Sequence, residues 1–236
     1  MSRIRAVIFD YYNTLIDIKT DEEKPEVFRF LSLYLQYYGV NMNDQNLRAA
    51  LDHEKKRYLK TRDEAYPEMD LEVVFSNILG KEGICNPFGA ESCCKLFRLL
   101  SRDRFQLFPD SLPVLKEIKR TGYPMAVVSD AQKVFCLEEG EMLGLNQFFD
   151  HIVISTQYGF RKPDSRLFNI ACNLLDIPPE QSIYIGDDLK KDVKGAKQAG
   201  MAAILVNRGM NLDTENQPDF CANNLWEAWE WIKKQG

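Results

Sequence analysis

Short runs of apolar, often β-branched residues recur along the chain at Arg5–Phe9, Pro124–Val128, Ile152–Ser155, Ser182–Ile185 and Ala202–Val206, and each reads as a buried strand. Between the later runs lie helix-length segments, Leu112–Arg120, Gln132–Leu143, Asp164–Leu175 and Leu189–Ala199, most closed by a glycine or proline soon after their ends. Strands alternating with helices predict right-handed crossovers and a parallel sheet covered on both faces: an α/β, Rossmann-like core. The alternation breaks once. From about Asp17 to Arg104 the pattern is helical nearly throughout, with Glu26–Tyr38, Asn43–Thr61, Asp70–Leu79 and Ala90–Arg102 suited to a small bundle. The predicted plan is a core of residues 1–16 and 105–236 carrying an inserted all-helical cap, residues 17–104. A last helix, Asn224–Lys234, places Trp226, Trp229 and Ile232 at helical spacing, read as core packing.

Composition narrows this plan by exclusion. The 236 residues are 45% hydrophobic and 28% charged, as in an ordinary globular protein with material for a core. A formal net charge of -5 gives no general attraction to nucleic acid or acidic membranes, so neither is expected as a partner. Met1-Ser2-Arg3-Ile4-Arg5 leads into the first strand with no long apolar region or small-residue cleavage site, and no apolar run approaches the roughly 18 residues of a membrane helix. The expectation is a soluble, cytoplasmic monomer or homodimer whose partner is a small molecule. The six cysteines, Cys85 and Cys221 among them, form no Cys-x-x-Cys, and with only His53 and His151 the spacing of zinc ligands is absent. The thiols are read as reduced packing groups and the histidines as structural.

Ligands of an open parallel sheet bind at the carboxyl ends of its strands, so the residues just past each strand are the candidates for chemistry. Asp10 follows the first; Ser129 and Asp130 follow the second; Arg161 and Lys162 come shortly after the third; Asp187 and Asp188 follow the fourth, with Asp192 about a helical turn beyond. A carboxylate nucleophile, a hydroxyl, a cation and an acidic group converging on one crevice suit an anionic substrate handled with a divalent metal. Singly, each has a plainer reading, Asp10 or Ser129 as a cap and Lys162 as a surface charge; their joint order argues for a site.

With these residues in place the chain resembles the haloacid dehalogenase superfamily, through Phe9-Asp10-Tyr11-Tyr12-Asn13-Thr14-Leu15, Val128-Ser129-Asp130, Arg161-Lys162-Pro163-Asp164 and Gly186-Asp187-Asp188-Leu189-Lys190-Lys191-Asp192. All four family motifs occur in order, and the cap lies between the first and second, as in the branch with a C1-type helical cap. The resemblance implies Asp10 as nucleophile, forming a covalent intermediate that water later splits. It implies Thr14 and Ser129 orienting that group and holding a phosphate oxygen, and Lys162 neutralising the crowded negative charge. It also implies Mg²⁺ bound by Asp10, Asp187 and the Tyr12 carbonyl, with Asp192 as a water-mediated acid. Asp188 is either a further acid of that site or the cap of the helix it begins.

The first motif departs from the phosphatase pattern. Family phosphatases usually carry a second aspartate where Tyr12 stands, to protonate the leaving alcohol and then activate water, a contribution of about 10²- to 10⁴-fold. Tyrosine is what the family's 2-haloacid dehalogenases carry, and halide leaves without a proton. The fourth motif points the other way, because an acidic group beside a carboxylate nucleophile repels itself unless a cation is present. The acidic motif is weighted above Tyr12, so a phosphatase acting on a small phosphorylated metabolite is expected, with dehalogenase chemistry or a non-catalytic binding role as the alternatives. Asn13, Asp130, Tyr12 and Asp188 are candidates for touching substrate. Asn13 replaces a common glycine, which a left-handed backbone would permit; Asp130 either meets substrate or metal, or caps the following helix. In the cap, Arg57, Lys60 and Arg62 are candidates for reading a second anion, or a solvated face. A cap lysine, Lys55, Lys56 or Lys60, acting as in phosphonoacetaldehyde hydrolases is a further alternative.

Overall fold

The computed structural model describes residues 3–83, 87–207 and 217–235; Met1, Ser2 and Cys85 lie outside them. In chain order the elements are β1 (Ala6–Phe9), β2 (Ile16–Thr20), α1 (Pro25–Tyr37), α2 (Asp44–Lys60), α3 (Leu71–Lys81), α4 (Pro87–Ser101) and β3 (Arg102–Leu107). There follow α5 (Ser111–Arg120), β4 (Met125–Ser129), α6 (Lys133–Met142), β5 (His151–Ile154), α7 (Ser165–Leu175), β6 (Ser182–Gly186), α8 (Lys194–Gln198), β7 (Ala202–Val206), β8 (Phe220–Ala222) and α9 (Leu225–Lys233).

Six strands form one parallel sheet in the order β5-β4-β1-β6-β7-β8, with β1 central and every expected core strand in it. Alternation along the strands supplies two cores. Val7, Phe9, Val127 and Ile185 face a cluster that includes Leu115 of α5 and Trp229 of α9, while Ile8, Ala126, Val128 and Tyr184 face one built on Phe168 of α7. The cap packs separately, with Leu31, Leu51, Phe75 and Phe97 drawn from its four helices.

Four details differ from the sequence reading. The ends of the inserted segment are not helical: β2 and β3 pair antiparallel, Ile16 opposite Leu107 and Ile18 opposite Phe105, making a two-stranded stalk that carries the cap. Their alternating apolar positions are too short and too charged on the other face to stand out. Strand β8 was missed for its brevity, and Leu189–Val193 is a wide helical turn that only then tightens into α8. Trp226 does not belong to the core: it is 39% exposed, while the buried stripe of α9 is Leu225, Ala228, Trp229 and Ile232, the i, i+3, i+4, i+7 positions.

Candidate active site

The carboxyl ends of β1, β4 and β6 converge on a cavity of about 160 Å³ lined by Asp10, Ser129, Lys162 and Asp187. Parallel pairing brings these ends together: Phe9 lies opposite Val127 and Ile185, so residues far apart in sequence emerge side by side. The Asp10 N–H donates to the Ile185 carbonyl at 2.8 Å, which extends the ladder one residue past β1. Beyond it the chain turns sharply. Asn13 sits at φ 61, the left-handed conformation that asparagine tolerates, and its N–H donates to the Ile16 carbonyl at 2.7 Å.

Lys162 is the hub. Its buried ammonium donates to Asp10 Oδ1 at 2.7 Å, to Asp192 Oδ1 at 2.6 Å and to the Tyr184 hydroxyl at 3.2 Å. Tyr184 in turn donates to the Val128 carbonyl at 2.8 Å. Asp192 Oδ2 accepts the N–H groups of Asp187 at 3.1 Å and Asp188 at 3.0 Å, so both its oxygens are held by the protein. Gly186 makes room for this: a Cβ there would meet the Asp192 carboxyl at 2.4 Å. Asp188 caps the next turn, accepting from the N–H groups of Lys190 and Lys191, which is the plainer of its two expected roles.

Oxygens of Asp10, Asp187 and Asp192 lie within 4.8 Å of one another, three carboxylates against one ammonium. Burial pushes Asp10 well above the usual aspartate value, against the pull of Lys162. Burial, then the Asp192 charge, pushes Asp187 up to about 6. Burial alone would lower Lys162, but Asp10 and Asp192 hold it well above the usual lysine value. The ammonium therefore stays charged while the acids compete for too little positive charge. The Ser129 hydroxyl, in the same cavity, is buried without a hydrogen-bond partner, as befits a group awaiting an anion. Thr14, in the turn itself, is fully buried and does not line the cavity.

Tyr12 turns away from this cluster. Its hydroxyl donates to Glu139 Oε2 of α6 at 2.6 Å, and the Arg98 guanidinium of α4 lies 5.1 Å from its ring. Arg98 grips Glu139 with two hydrogen bonds, 2.8 and 2.9 Å, tying cap to core. Asp130 is not the cap of α6, whose N-cap is Gln132; its Oδ1 accepts the Lys162 N–H at 2.9 Å instead. The Lys162 N–H reaches it because the loop after β5 folds back over the end of β4.

A second cavity of about 320 Å³ opens between core and cap beside the first, with Glu22, Glu68 and Arg98 on the cap side and Gln132 and Arg161 on the core side. Cap loop and core loop meet there backbone to backbone: the Glu68 N–H donates to the Gly159 carbonyl and the Arg161 N–H to the Tyr66 carbonyl. The basic run of α2 does not face this cavity. Arg57 pairs with Glu54, Arg62 lies over the Tyr58 ring, and Lys55, Lys56 and Lys60 line neither cavity. Neither His53 nor His151 borders the cavities. Sequence reasoning missed Glu139, Arg98, Glu68 and Tyr184: each is an ordinary helix, loop or strand residue until the fold brings it to the site. Four thiols, those of Cys93, Cys94, Cys136 and Cys172, are buried and unpaired, and Cys221 is exposed.

A family model described as haloacid dehalogenase-like hydrolase matches residues 4–200. A glyceraldehyde 3-phosphate phosphatase of Methanopyrus kandleri is 35% identical over 112 residues, 48% of either chain. A phosphoserine phosphatase of Thermus thermophilus is 33% identical over 158 residues, 66% of this chain and 63% of that one. This chain thus spans about half to two thirds of the length of these relatives. Among solved structures, a 2-haloacid dehalogenase of Pseudomonas syringae pv. Tomato superposes with a TM-score of 0.76 at 23% identity, over 99% of this chain and 100% of that one, a likeness of fold.

Proposed function

Since this chain belongs to the haloacid dehalogenase-like hydrolases, we propose that it is a Mg²⁺-dependent phosphatase, acting on a small phosphorylated metabolite through a phosphoryl group carried on Asp10. The observation that carries this reading is the surplus of acid: Asp10 and Asp192 share the buried ammonium of Lys162, Asp187 lies beside them, and Lys191 is exposed at the cavity's edge. Such a cluster fits a hard divalent cation, which prefers oxygen donors, and offers nothing to a metal-free attack on a haloacid carboxylate. Asp10, Asp187 and the Tyr12 carbonyl would hold the ion, and Asp192, with both oxygens occupied, would act from behind. Mg²⁺, when bound, supplies charge that offsets the phosphate oxygens.

The residues of the chain then divide the work. Asp10 attacks phosphorus in line with the departing alcohol oxygen, and water later splits the acyl phosphate. Lys162, anchored by Asp192 and Tyr184, holds Asp10 Oδ1 and favours its ionised form against the burial that raises it. The unpartnered Ser129 hydroxyl receives a phosphate oxygen, Asn13 presents the turn's backbone to it, and Thr14, buried within the turn and outside the cavity lining, steadies that turn. Closure of the cap against the Gly159–Arg161 loop limits access of water. The phosphatase names of the relatives support the same reading, and a cytoplasmic location with a soluble metabolite as sole partner belongs to it. Among the described residues no helix is long and apolar enough to cross a membrane.

Tyr12 keeps dehalogenase chemistry as the second reading. Release of phosphate from p-nitrophenyl phosphate and of chloride from L-2-chloropropionate, each with Mg²⁺ and with EDTA, separates the two. Magnesium-dependent phosphate release that disappears in Asp10→Asn is expected; chloride release indifferent to EDTA would replace the phosphatase with the dehalogenase.

A further inference from the structure

Resting on the phosphatase reading, we propose that Asp130 is the general acid and base of the reaction, taking the role left vacant where Tyr12 replaces the second carboxylate of the first motif. Three residues border both the catalytic cavity and the cavity between core and cap: Tyr12, Asp130 and Lys191. With phosphate on Asp10 and the organic part of the substrate under the cap, the leaving oxygen lies at the junction these three form. Tyr12 cannot serve, since its proton is committed to Glu139 at 2.6 Å. Asp130 is held by one oxygen only: Oδ1 accepts the Lys162 N–H, while Oδ2 is buried with no hydrogen-bond partner. An unpartnered buried carboxyl oxygen is costly, and such groups mark function more often than packing.

The other nearby acids are engaged. Glu68 accepts the Met69 N–H through Oε1 at 2.9 Å and the Ser155 hydroxyl through Oε2 at 2.6 Å. Glu22 pairs with Lys55, and Asp188 caps its own turn and does not border the outer cavity. Burial raises the Asp130 carboxyl above the usual aspartate value, and Asp192 adds to this, while Lys162 and Lys191 oppose it. Glu68, across the cavity, is raised in turn by burial and by the Asp130 charge, with Arg161 working against this. A carboxyl shifted upward keeps a larger share of its protons near neutrality, as a donor requires.

The steps balance. As an Asp10 oxygen bonds to phosphorus and the phosphorus–oxygen bond to the alcohol breaks, the Asp130 carboxyl turns Oδ2 from its buried position toward the junction and its proton passes to the leaving oxygen. The resulting carboxylate then takes a proton from the water that attacks the acyl phosphate, which frees phosphate and restores both Asp10 and the Asp130 proton. Lys191, exposed at the junction, contributes charge.

The test compares Asp130→Asn, which keeps the oxygen that accepts from Lys162, with wild type and with Lys191→Ala on two substrates. Loss in kcat/KM of about 10²-fold or more is expected for glycerol 1-phosphate, whose leaving alkoxide needs a proton. For p-nitrophenyl phosphate the loss should stay below about tenfold, and a burst of p-nitrophenolate should appear because the second step lacks its base. Equal losses on both substrates, no loss on either, or a leaving-group-dependent loss that follows Lys191→Ala would overturn the assignment. If Asp130→Asn does not fold, a series of phosphate esters on wild type decides: a shallow dependence of kcat/KM on leaving-group basicity supports Asp130, and a steep one overturns it. Wild type that releases phosphate from neither substrate removes the phosphatase reading itself, a different failure.

Discussion

Two buried ionic clusters flank Tyr12, and they are built on opposite balances. On one side Glu139 is held by two arginines and a hydroxyl, with side-chain exposures of 5% for Glu139, 14% for Arg98 and 20% for Arg102. On the other, the one buried lysine of the cavity, Lys162, pairs with Asp10 and Asp192 while Asp187 lies beside them. The first cluster satisfies its acid completely and joins cap to core; the second keeps acid in surplus and adds an orphaned hydroxyl at Ser129. Burial is common to both, so burial of charge does not distinguish a fastening from a site. The unmet charge does, since it persists only where a ligand will supply the missing partner.

Removing charge from each cluster should therefore act in opposite senses. On the proposed mechanism Asp10→Asn should abolish turnover, by about 10⁴-fold or more for loss of a nucleophile that works as one unit with its neighbours. The same substitution relieves the surplus, so in EDTA the melting temperature should rise, by about 2–4 °C for each kcal/mol relieved. A variant that loses activity and also melts lower in EDTA would show that the carboxylates around Lys162 are not in excess. Glu139→Ala, by contrast, strands two arginines and the Tyr12 hydroxyl, and should lower stability by about 3–5 kcal/mol, the range for breaking a buried pair from one side. An unchanged denaturant midpoint would remove the fastening role.

How much of this was legible in the sequence follows the same division. The acid-rich cluster was visible because Asp10, Ser129 and Asp187 sit at strand ends that parallel pairing of β1, β4 and β6 forces together, with Lys162 following in the loop after β5. The fastening was not visible: Arg98 and Glu139 are ordinary charges on amphipathic helices until α4 docks on α6. The β2–β3 stalk was hidden for a similar reason, being two short strands stabilised by each other across more than eighty intervening residues. The basic run of α2, prominent in sequence, serves the cap: Arg57, together with Lys81 of α3, binds the buried Glu54 carboxylate.

Backbone space gives a finer test of the comparison. Gly186 and Gly140 each leave room for a polar group at close range, the Asp192 carboxyl in one case and the Tyr11 hydroxyl in the other, where a Cβ would meet it at 2.0 Å. Tyr11 donates to Asn146 at 2.7 Å, beneath the turn that carries Tyr12. Alanine at either position should destabilise by about 1–3 kcal/mol, the usual range for overpacking. Only Gly186→Ala should also lower kcat strongly, because it displaces the acid that anchors Lys162. Equal kinetic loss from both would mean that Asp192 holds the fold alone.

The smallest effect carries the sign of the surplus. Burial and the Asp192 charge push the Asp187 carboxyl up to about 6 in the folded chain, above an unfolded value of ~3.9. A carboxyl raised on folding contributes stability that is complete below its unfolded value and fades as the pH rises through the folded one. In EDTA the melting temperature should thus decline from about pH 4 to 6 as Asp187 ionises among its neighbours. On the proposed metal site Mg²⁺ should reverse the direction, because it would bind the ionised form. At pH 5, one unit below the folded value, roughly a tenth of the carboxyl is ionised, so Mg²⁺ should bind about tenfold more weakly than at pH 7, a difference of about 1.4 kcal/mol. At fixed Mg²⁺ the gain in melting temperature over EDTA should therefore be about 3–5 °C larger at pH 7 than at pH 5. Asp187→Asn should flatten that difference, whereas Glu139→Gln should leave it intact, since Glu139 belongs to the cluster whose charge is already met.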